Sequence, residues 1–160
     1  MALTFAVLLL LCGIGGLMAS AKECKDRSCP KGWYLLNDRC FMFVEQRRIF
    51  SDAEQVCILK GGNLASIRNA LENELVLAII DQAGFSASST WIGFTDAITE
   101  GEFFWTDGTP FKFNDFGAIQ PDDFGGVEEC GEINGTNQWN DDECTDLNNF
   151  ICAKDVSCEH

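Results

Sequence analysis

In 160 residues the chain carries 25 Asp and Glu against 11 Lys and Arg, a formal net charge of −14, which makes nucleic acid and anionic membrane surfaces poor partners. Its one histidine, His160, is the last residue, so a serine or cysteine nucleophile has no histidine base and a histidine-containing zinc site has no ligand. No internal repeat, heptad pattern or low-complexity linker divides the sequence.

Residues 1–21 hold no charged side chain, carry the apolar run Leu8-Leu9-Leu10-Leu11 and end in Ala19-Ser20-Ala21. That is the pattern of a cleaved signal peptide, too short and glycine-interrupted for a membrane span. The mature protein is then Lys22 to His160, secreted, a single domain over 22–160. Cys12 leaves with the signal peptide, and Cys24, Cys29, Cys40, Cys57, Cys130, Cys144, Cys152 and Cys158 remain. An even number in an exported chain reads as four disulfides, although eight cysteines alone allow 105 pairings.

Along the chain, Cys29 to Tyr34 and Cys40 to Phe43 predict two short strands around Asn37-Asp38, a hairpin that a Cys29–Cys40 bridge could close. Ser51-Asp52-Ala53-Glu54 has capping-box spacing and predicts a helix with Ala53, Val56, Cys57 and Leu59 on its apolar side, ended by Gly61-Gly62. A second helix is expected from Asn69, with Glu72 three residues on, through Leu71, Leu75, Ala78 and Ile79 toward Gly84. Short strand candidates follow at Trp91 to Phe94, Phe103 to Trp105, Glu132-Ile133 and Asn149 to Cys152. Two helices followed by several short strands make the fold class α+β. Thr106 to Glu129 shows neither period, and so long an irregular segment in a compact domain carries function or binds something that orders it.

That segment ends in Gln120-Pro121-Asp122-Asp123-Phe124-Gly125-Gly126-Val127-Glu128-Glu129-Cys130. No Lys or Arg lies between Phe113 and Ala153, against ten Asp and Glu. A solvated acidic face is one reading of such a run. Carboxylates kept ionised in a charged loop make a poor glycosidase pair, but carboxylates and amide oxygens are the hard ligands of calcium, which takes six to eight oxygens from flexible loops. Gln120, Asp122, Glu128, Asn140 and Asp141 suit that demand. EF-hand spacing is absent, so a site would be assembled from separate segments, with Cys130 and Cys144 bracketing their approach.

These residues resemble a known family. Trp91-Ile92-Gly93, the Gln-Pro-Asp triplet, Glu128 two residues before Cys130, Trp139-Asn140-Asp141 and the order of the mature cysteines are similar to the long form of the C-type lectin-like domain, over about Cys29 to Ala153. Within it the chain looks like the small, secreted, galactose-binding type known from fish, which is related to type II antifreeze proteins. The resemblance implies two helices, short antiparallel strands and a long calcium-binding loop. It also implies bridges Cys29–Cys40, Cys57–Cys152 and Cys130–Cys144, leaving Cys24 and Cys158 to pair with each other within the chain or between chains.

The same resemblance implies a principal, sugar-binding calcium held by Gln120, Asp122, Glu128, Asn140 and Asp141, with Pro121 cis, and a second calcium held by Asp96, Glu100, Asp123 and Glu129. Carbohydrate would be read by Gln120, Asp122, Glu128 and Asn140, the amide-first order accompanying galactose in that family and Glu-Pro-Asn accompanying mannose. Phe124 stands where such galactose binders often have Trp; it either faces the ligand or pins the loop. Asn114-Asp115-Phe116 departs from the usual Asn-Trp, and the loop after Gln-Pro-Asp is shorter than in many galactose binders. Trp91, Trp105 and Trp139 are expected in the core. Asn134-Gly135-Thr136 is both a glycosylation sequon and a turn signal, and Asp142, Glu143 and Asp146 are expected as solvated charges.

The expected function is therefore a calcium-dependent lectin without catalysis. Its expected partners are terminal galactose or N-acetylgalactosamine glycans on cell or microbial surfaces, in innate microbial recognition, and agglutination would need more than one site per particle. The alternatives are a calcium-dependent type II antifreeze protein, or a lectin-like domain whose partner is a protein.

Overall fold

Residues 27–156 are described by a computed structural model; the expected signal peptide and the expected Cys24–Cys158 pairing lie outside them. Asn37, at φ 56°, takes the left-handed conformation that Asn tolerates better than most residues. It turns β1 (Tyr34–Leu36) back on β2 (Arg39–Arg48) with Leu36 opposite Arg39, and the Cys29–Cys40 disulfide closes the hairpin.

Helix α1 (Phe50–Leu59) starts one residue before the expected Ser51, with Ile49 at the cap position and no side-chain cap. The capping box does not form because Glu54 has stronger partners elsewhere. Its carboxylate accepts from the Asn63 amide and the Leu64 backbone N–H, which ties the helix to β3 (Asn63–Leu64). Ala53 and Cys57 are buried as predicted, Val56 is half-buried, and Leu59 is exposed. Gly61, at φ 84°, ends the helix in the left-handed conformation favoured after a last turn.

Helix α2 (Ala70–Gln82) begins as its sequence predicts: the Asn69 side chain accepts from the Glu72 N–H. Its buried face is rotated from the predicted one. Leu71 and Ala78 are exposed, whereas Glu72, Asn73, Val76, Ile79 and Ile80 are buried. Two polar residues hold that rotation because both find partners, as buried polar groups must. Glu72 Oε2 accepts from Arg39 Nη1 at 2.7 Å and from the Arg68 N–H at 2.8 Å; Asn73 donates to Asp115 Oδ2 at 2.8 Å and accepts from the Trp139 indole at 2.9 Å.

The remaining strands are β4 (Thr90–Thr95), β5 (Phe104–Trp105), β6 (Glu128–Ile133), β7 (Trp139–Glu143) and β8 (Asn148–Asp155). They form one sheet in the order β1-β2-β8-β4-β6-β7, with β3 added on β8 and β5 on β4. Every pairing is antiparallel except β4 with β8, where Trp91 lies opposite Phe150. The fold is thus α+β, two helices on a largely antiparallel sheet. Among the described residues no helix is long and apolar enough to cross a membrane.

Two apolar clusters fill the space. One, around Phe50, Trp91 and Phe150, contains the Cys57–Cys152 bridge and half of the Cys130–Cys144 bridge. The other is aromatic and centred on Phe94, which stacks on Trp139 at 5.6 Å and meets Phe103, Trp105, Phe111 and Phe116 edge-on. Gly131 faces this ring so closely that any Cβ there would overlap the Phe94 side chain. Trp91, Trp105 and Trp139 are fully buried, as expected. The long irregular loop is fastened here, since Phe111, Phe113 and Phe116 reach back into the cluster and Phe116 makes a bridge with Trp139.

Candidate functional site

The fastened loop delivers its last third to the β6–β7 edge of the sheet. Phe116 anchors one end, and Gly117 N donates to the Trp139 carbonyl. The Gln120–Pro121 peptide is cis. The next two backbone N–H groups, of Asp122 and Asp123, donate to Oδ1 and Oδ2 of Asp141 at 3.2 and 2.9 Å. Asp123, at φ 41°, then starts a tight turn over Phe124–Gly126. Across that turn the Phe124 N–H donates to Glu128 Oε2 at 2.7 Å and the Glu128 N–H to Asp123 Oδ1 at 3.2 Å. From the other side, the Cys130–Cys144 disulfide and the β6–β7 register, Gly131 opposite Asp141 and Glu132 opposite Asn140, bring the second segment in.

In consequence Asp122, Glu128 and Asp141 each present a carboxylate oxygen, all within 4.8 Å of one another. Among the described residues this is the one such group of three or more acids, cysteines or histidines. No lysine or arginine of the surrounding sequence offsets it. Burial first, then the neighbouring Asp141 and Asp122 charges, push the Glu128 pKa up against the Phe124 hydrogen bond that opposes the rise. Gln120 Oε1 is buried with no hydrogen-bond partner, a state that costs about 1–3 kcal/mol unless something occupies it. Three clustered carboxylate oxygens with no neighbouring cation, and in the same loop a buried amide oxygen without a partner, fit a hard divalent cation.

Asn140 precedes Asp141 on β7. Its Nδ2 donates to the Asp141 carbonyl at 2.6 Å and to Glu132 Oε1 at 3.2 Å.

The second predicted set is more open. Asp96 is buried and accepts from the Gly101 N–H at 2.9 Å through Oδ2, while Oδ1 is buried without a partner. Glu100 lies beside Asp96 and Asp123, whose charges, after its loss of hydration, raise its pKa. Glu129 joins β4 by its backbone, its carbonyl accepting from the Asp96 N–H and Thr95 Oγ1, and its side chain is exposed. Phe124 is 76% exposed and does not pin the loop. Asn134 heads the β6–β7 turn, its Oδ1 accepting from Thr136 N and Oγ1.

Sequence reasoning missed Glu132. It is buried, accepts from Asn140 through Oε1 and from Asn148 through Oε2 at 3.1 Å, and so orients Asn140 from behind. Burial, with Asp142 adding to it against hydrogen bonds from Ser89 and Asn140, pushes its pKa up to about 7. Asp142, expected as a solvated charge, is half-buried here and its pKa is also raised, first by burial. Counting inward from the Cys130–Cys144 bridge would put Glu132 opposite Asp142; the strand register instead pairs Cys130 with Asp142 and Glu132 with Asn140, so no count along the sequence would have found it.

A folded-state pKa of about 7 against 4.5 for free Glu means that folded Glu132 holds a proton the unfolded chain has released. Its contribution to stability is therefore fully present below 4.5 and lost as pH rises through about 7. Glu128 and Glu100 act in the same direction. Asp107, whose pKa is lowered, acts oppositely but only below its ordinary 3.8. Thermal melts of the chelator-treated protein are expected to show a higher Tm at pH 5 than at pH 8; a Tm that rises with pH across this window would contradict the burial of an uncompensated Glu132.

Residues 46–154 match the family model described as the lectin C-type domain. The chain belongs to the C-type lectin family. It is 38% identical over 153 residues to the galactose-specific lectin nattectin of Thalassophryne nattereri, covering 95% of this chain and 96% of that one. It is also 38% identical to a type-2 ice-structuring protein of Osmerus mordax, over 79% of this chain and 71% of that protein. Among solved structures it is similar to the mouse scavenger receptor C-type lectin carbohydrate-recognition domain, with TM-score 0.74 and 34% identity over 81% of this chain and all of that one. The carboxylate cluster and its supporting β6–β7 hairpin lie within the matched C-type lectin region.

Proposed function

We propose that this C-type lectin domain is a secreted, calcium-dependent lectin for terminal galactose or N-acetylgalactosamine, a recognition module without catalysis that serves microbial recognition. The observation that carries the reading is the convergence of Asp122, Glu128 and Asp141, whose carboxylate oxygens lie within 4.8 Å of one another; two residues before Asp122, Gln120 Oε1 is buried without a partner. Gln120, Asp122, Glu128, Asn140 and Asp141 would hold the principal ion, and Asp96, Glu100, Asp123 and Glu129 a second. Bound calcium supplies a hard cation that accepts two neighbouring sugar hydroxyls as ligands.

The chain's own groups then decide which sugar. A carboxylate only accepts hydrogen bonds, whereas an amide both accepts and donates. The spare oxygens of Asp122 and Glu128 would take sugar hydroxyl protons, and the amide N–H groups of Gln120 and Asn140 would donate to hydroxyl oxygens. The identity of nattectin as a galactose-specific lectin supports the sugar assignment.

Retention on a galactose column in millimolar calcium, with elution by chelator, tests the proposal; a chain that passes through in calcium refutes it. Phe124, exposed beside the cluster, offers an aromatic face to the apolar side of galactose. Phe124→Ala is expected to weaken galactose binding by about 1 kcal/mol with calcium affinity unchanged, measured by titration calorimetry. The ice-structuring relative gives the antifreeze reading its support, and thermal hysteresis measured on the same preparation decides it. Ice binding calls for a flat, weakly polar face, whereas Phe124 stands between Asp123 and Glu128.

A further inference from the structure

A cavity of about 360 Å³ opens on the opposite side of the sheet order from the carboxylate cluster, where the start of β2, the end of β8 and the turn after α1 meet. It shares no residue with the proposed calcium ligands. Arg39, Asn63, Arg68, Asp107, Lys154 and Asp155 line it. Three of the 11 basic residues of a strongly acidic chain are gathered at one cavity.

The donors there are incompletely used. Arg39 is 2% exposed, and its Nη1 and Nη2 are satisfied by Glu72, the Ser66 carbonyl and Ser66 Oγ. Its Nε is buried with no hydrogen-bond partner. Asp155 Oδ1 lies 4.0 Å from it, too far to bond. The same oxygen is 3.9 Å from Arg68 Nη2, so this loosely placed carboxylate faces both guanidiniums without bonding either.

The cavity's other acid, Asp107, also faces both guanidiniums, its Oδ2 3.8 Å from Arg39 Nη2 and 4.0 Å from Arg68 Nη2, beyond bonding distance of either. Asp107 has both oxygens engaged, one by Ser66 Oγ and the other by the Thr109 N–H and hydroxyl. Burial alone would raise its pKa, but these hydrogen bonds and the Arg39 charge lower it. Arg39 remains under-compensated: burial lowers its pKa and Arg68 adds to the effect, against Glu72 and Asp107. Asp155 itself is 76% exposed in its side chain and free to swing away.

We propose that this cavity binds an oxyanion group, a carboxylate, sulfate or phosphate, carried on a small polar ligand, with Arg39 Nε and Arg68 as its donors and Asp155 as a side chain that yields its place. Guanidiniums pair such groups through two parallel N–H donors. Asp155 reaches both donors but bonds neither, so a free oxyanion able to approach to normal bonding distance replaces it with a gain. The proposal is independent of the lectin reading, and its test uses metal-free protein so that the two stand or fall separately.

The probes are inorganic phosphate, sulfate and glucuronate, titrated into the full mature chain at constant ionic strength and followed by backbone amide shifts and the Arg39 Nε–H signal. Saturable one-to-one binding is expected, with a Kd on the order of millimolar for a single small anion. Asp155→Asn, at an exposed position, should tighten it by about fivefold, and Arg68→Gln should weaken it about tenfold, since each alters one exposed charge at the donors. Arg39 is left unchanged because its bond to Glu72 supports α2. The preferred anion identifies whether carboxylate, sulfate or phosphate is the natural group. Shifts that do not saturate, or affinities that ignore both substitutions, overturn the proposal.

Discussion

Replacing Cys57 and Cys152 together by Ala is expected to destabilise the protein by about 4–5 kcal/mol, because their bridge closes 95 residues of sequence and chain entropy in the unfolded state grows with that length. Both residues are fully buried in the Phe50–Trp91–Phe150 cluster, so the cost is not softened by exposure. The bridge joins α1 to β8, the strand that pairs with β2, β3 and β4 at once. Against a typical domain stability of about 5–15 kcal/mol, such a variant stands close to unfolding at body temperature. The Cys130–Cys144 bridge spans 14 residues and is expected to contribute about 3 kcal/mol. Its removal should weaken calcium binding more than it disturbs the helices, because it ties Glu128's strand to Asp141's. Chemical denaturation with the other bridges intact measures both; a loss under about 1 kcal/mol for the long bridge would contradict the entropic account.

How far the sequence predicted these features depended on whether local or distant groups decided them. Asn69 caps α2 as its sequence predicts because the interaction spans three residues. Ser51-x-x-Glu54 has the same local signal, yet the box does not form, since Glu54 is claimed by Asn63 and Leu64 of the next element. Leu71 and Ala78 looked like the inner face of α2, but Arg39, Asp115 and Trp139, far away in sequence, make Glu72 and Asn73 the buried ones. The long loop has no period because its order comes from three separated phenylalanines reaching into one aromatic cluster. At the site, the clustered carboxylates of Asp122, Glu128 and Asp141 were readable as residue types and motif, whereas Glu132 was not. Its role comes from strand register and burial, which composition does not carry.

Exchanging Gln120 to Glu and Asp122 to Asn in one chain is expected to lower galactose affinity about tenfold to a hundredfold while leaving calcium affinity within about threefold. The swap keeps one carboxylate and one amide, so the summed charge and the count of metal-facing oxygens are unchanged. The scaffold is also spared. Asp122 is held by its backbone N–H on Asp141, not by its side chain, and the Asp123 and Phe124 N–H bonds that fix the turn are untouched. What changes is which position donates and which only accepts. A sugar hydroxyl matched to the amide at 120 then meets a carboxylate, and the one matched to the carboxylate at 122 meets an amide N–H. A mispaired polar contact of this kind costs roughly 1–3 kcal/mol, and sites built to hydrogen-bond one arrangement reject its mirror for that reason. Some mannose binding should appear in the same variant. Calorimetric titration with calcium, then with galactose and mannose, reads all three quantities. If galactose binding survived the exchange undiminished, the sugar would not be read through these two side chains, and the ice-binding or protein-partner reading would take precedence.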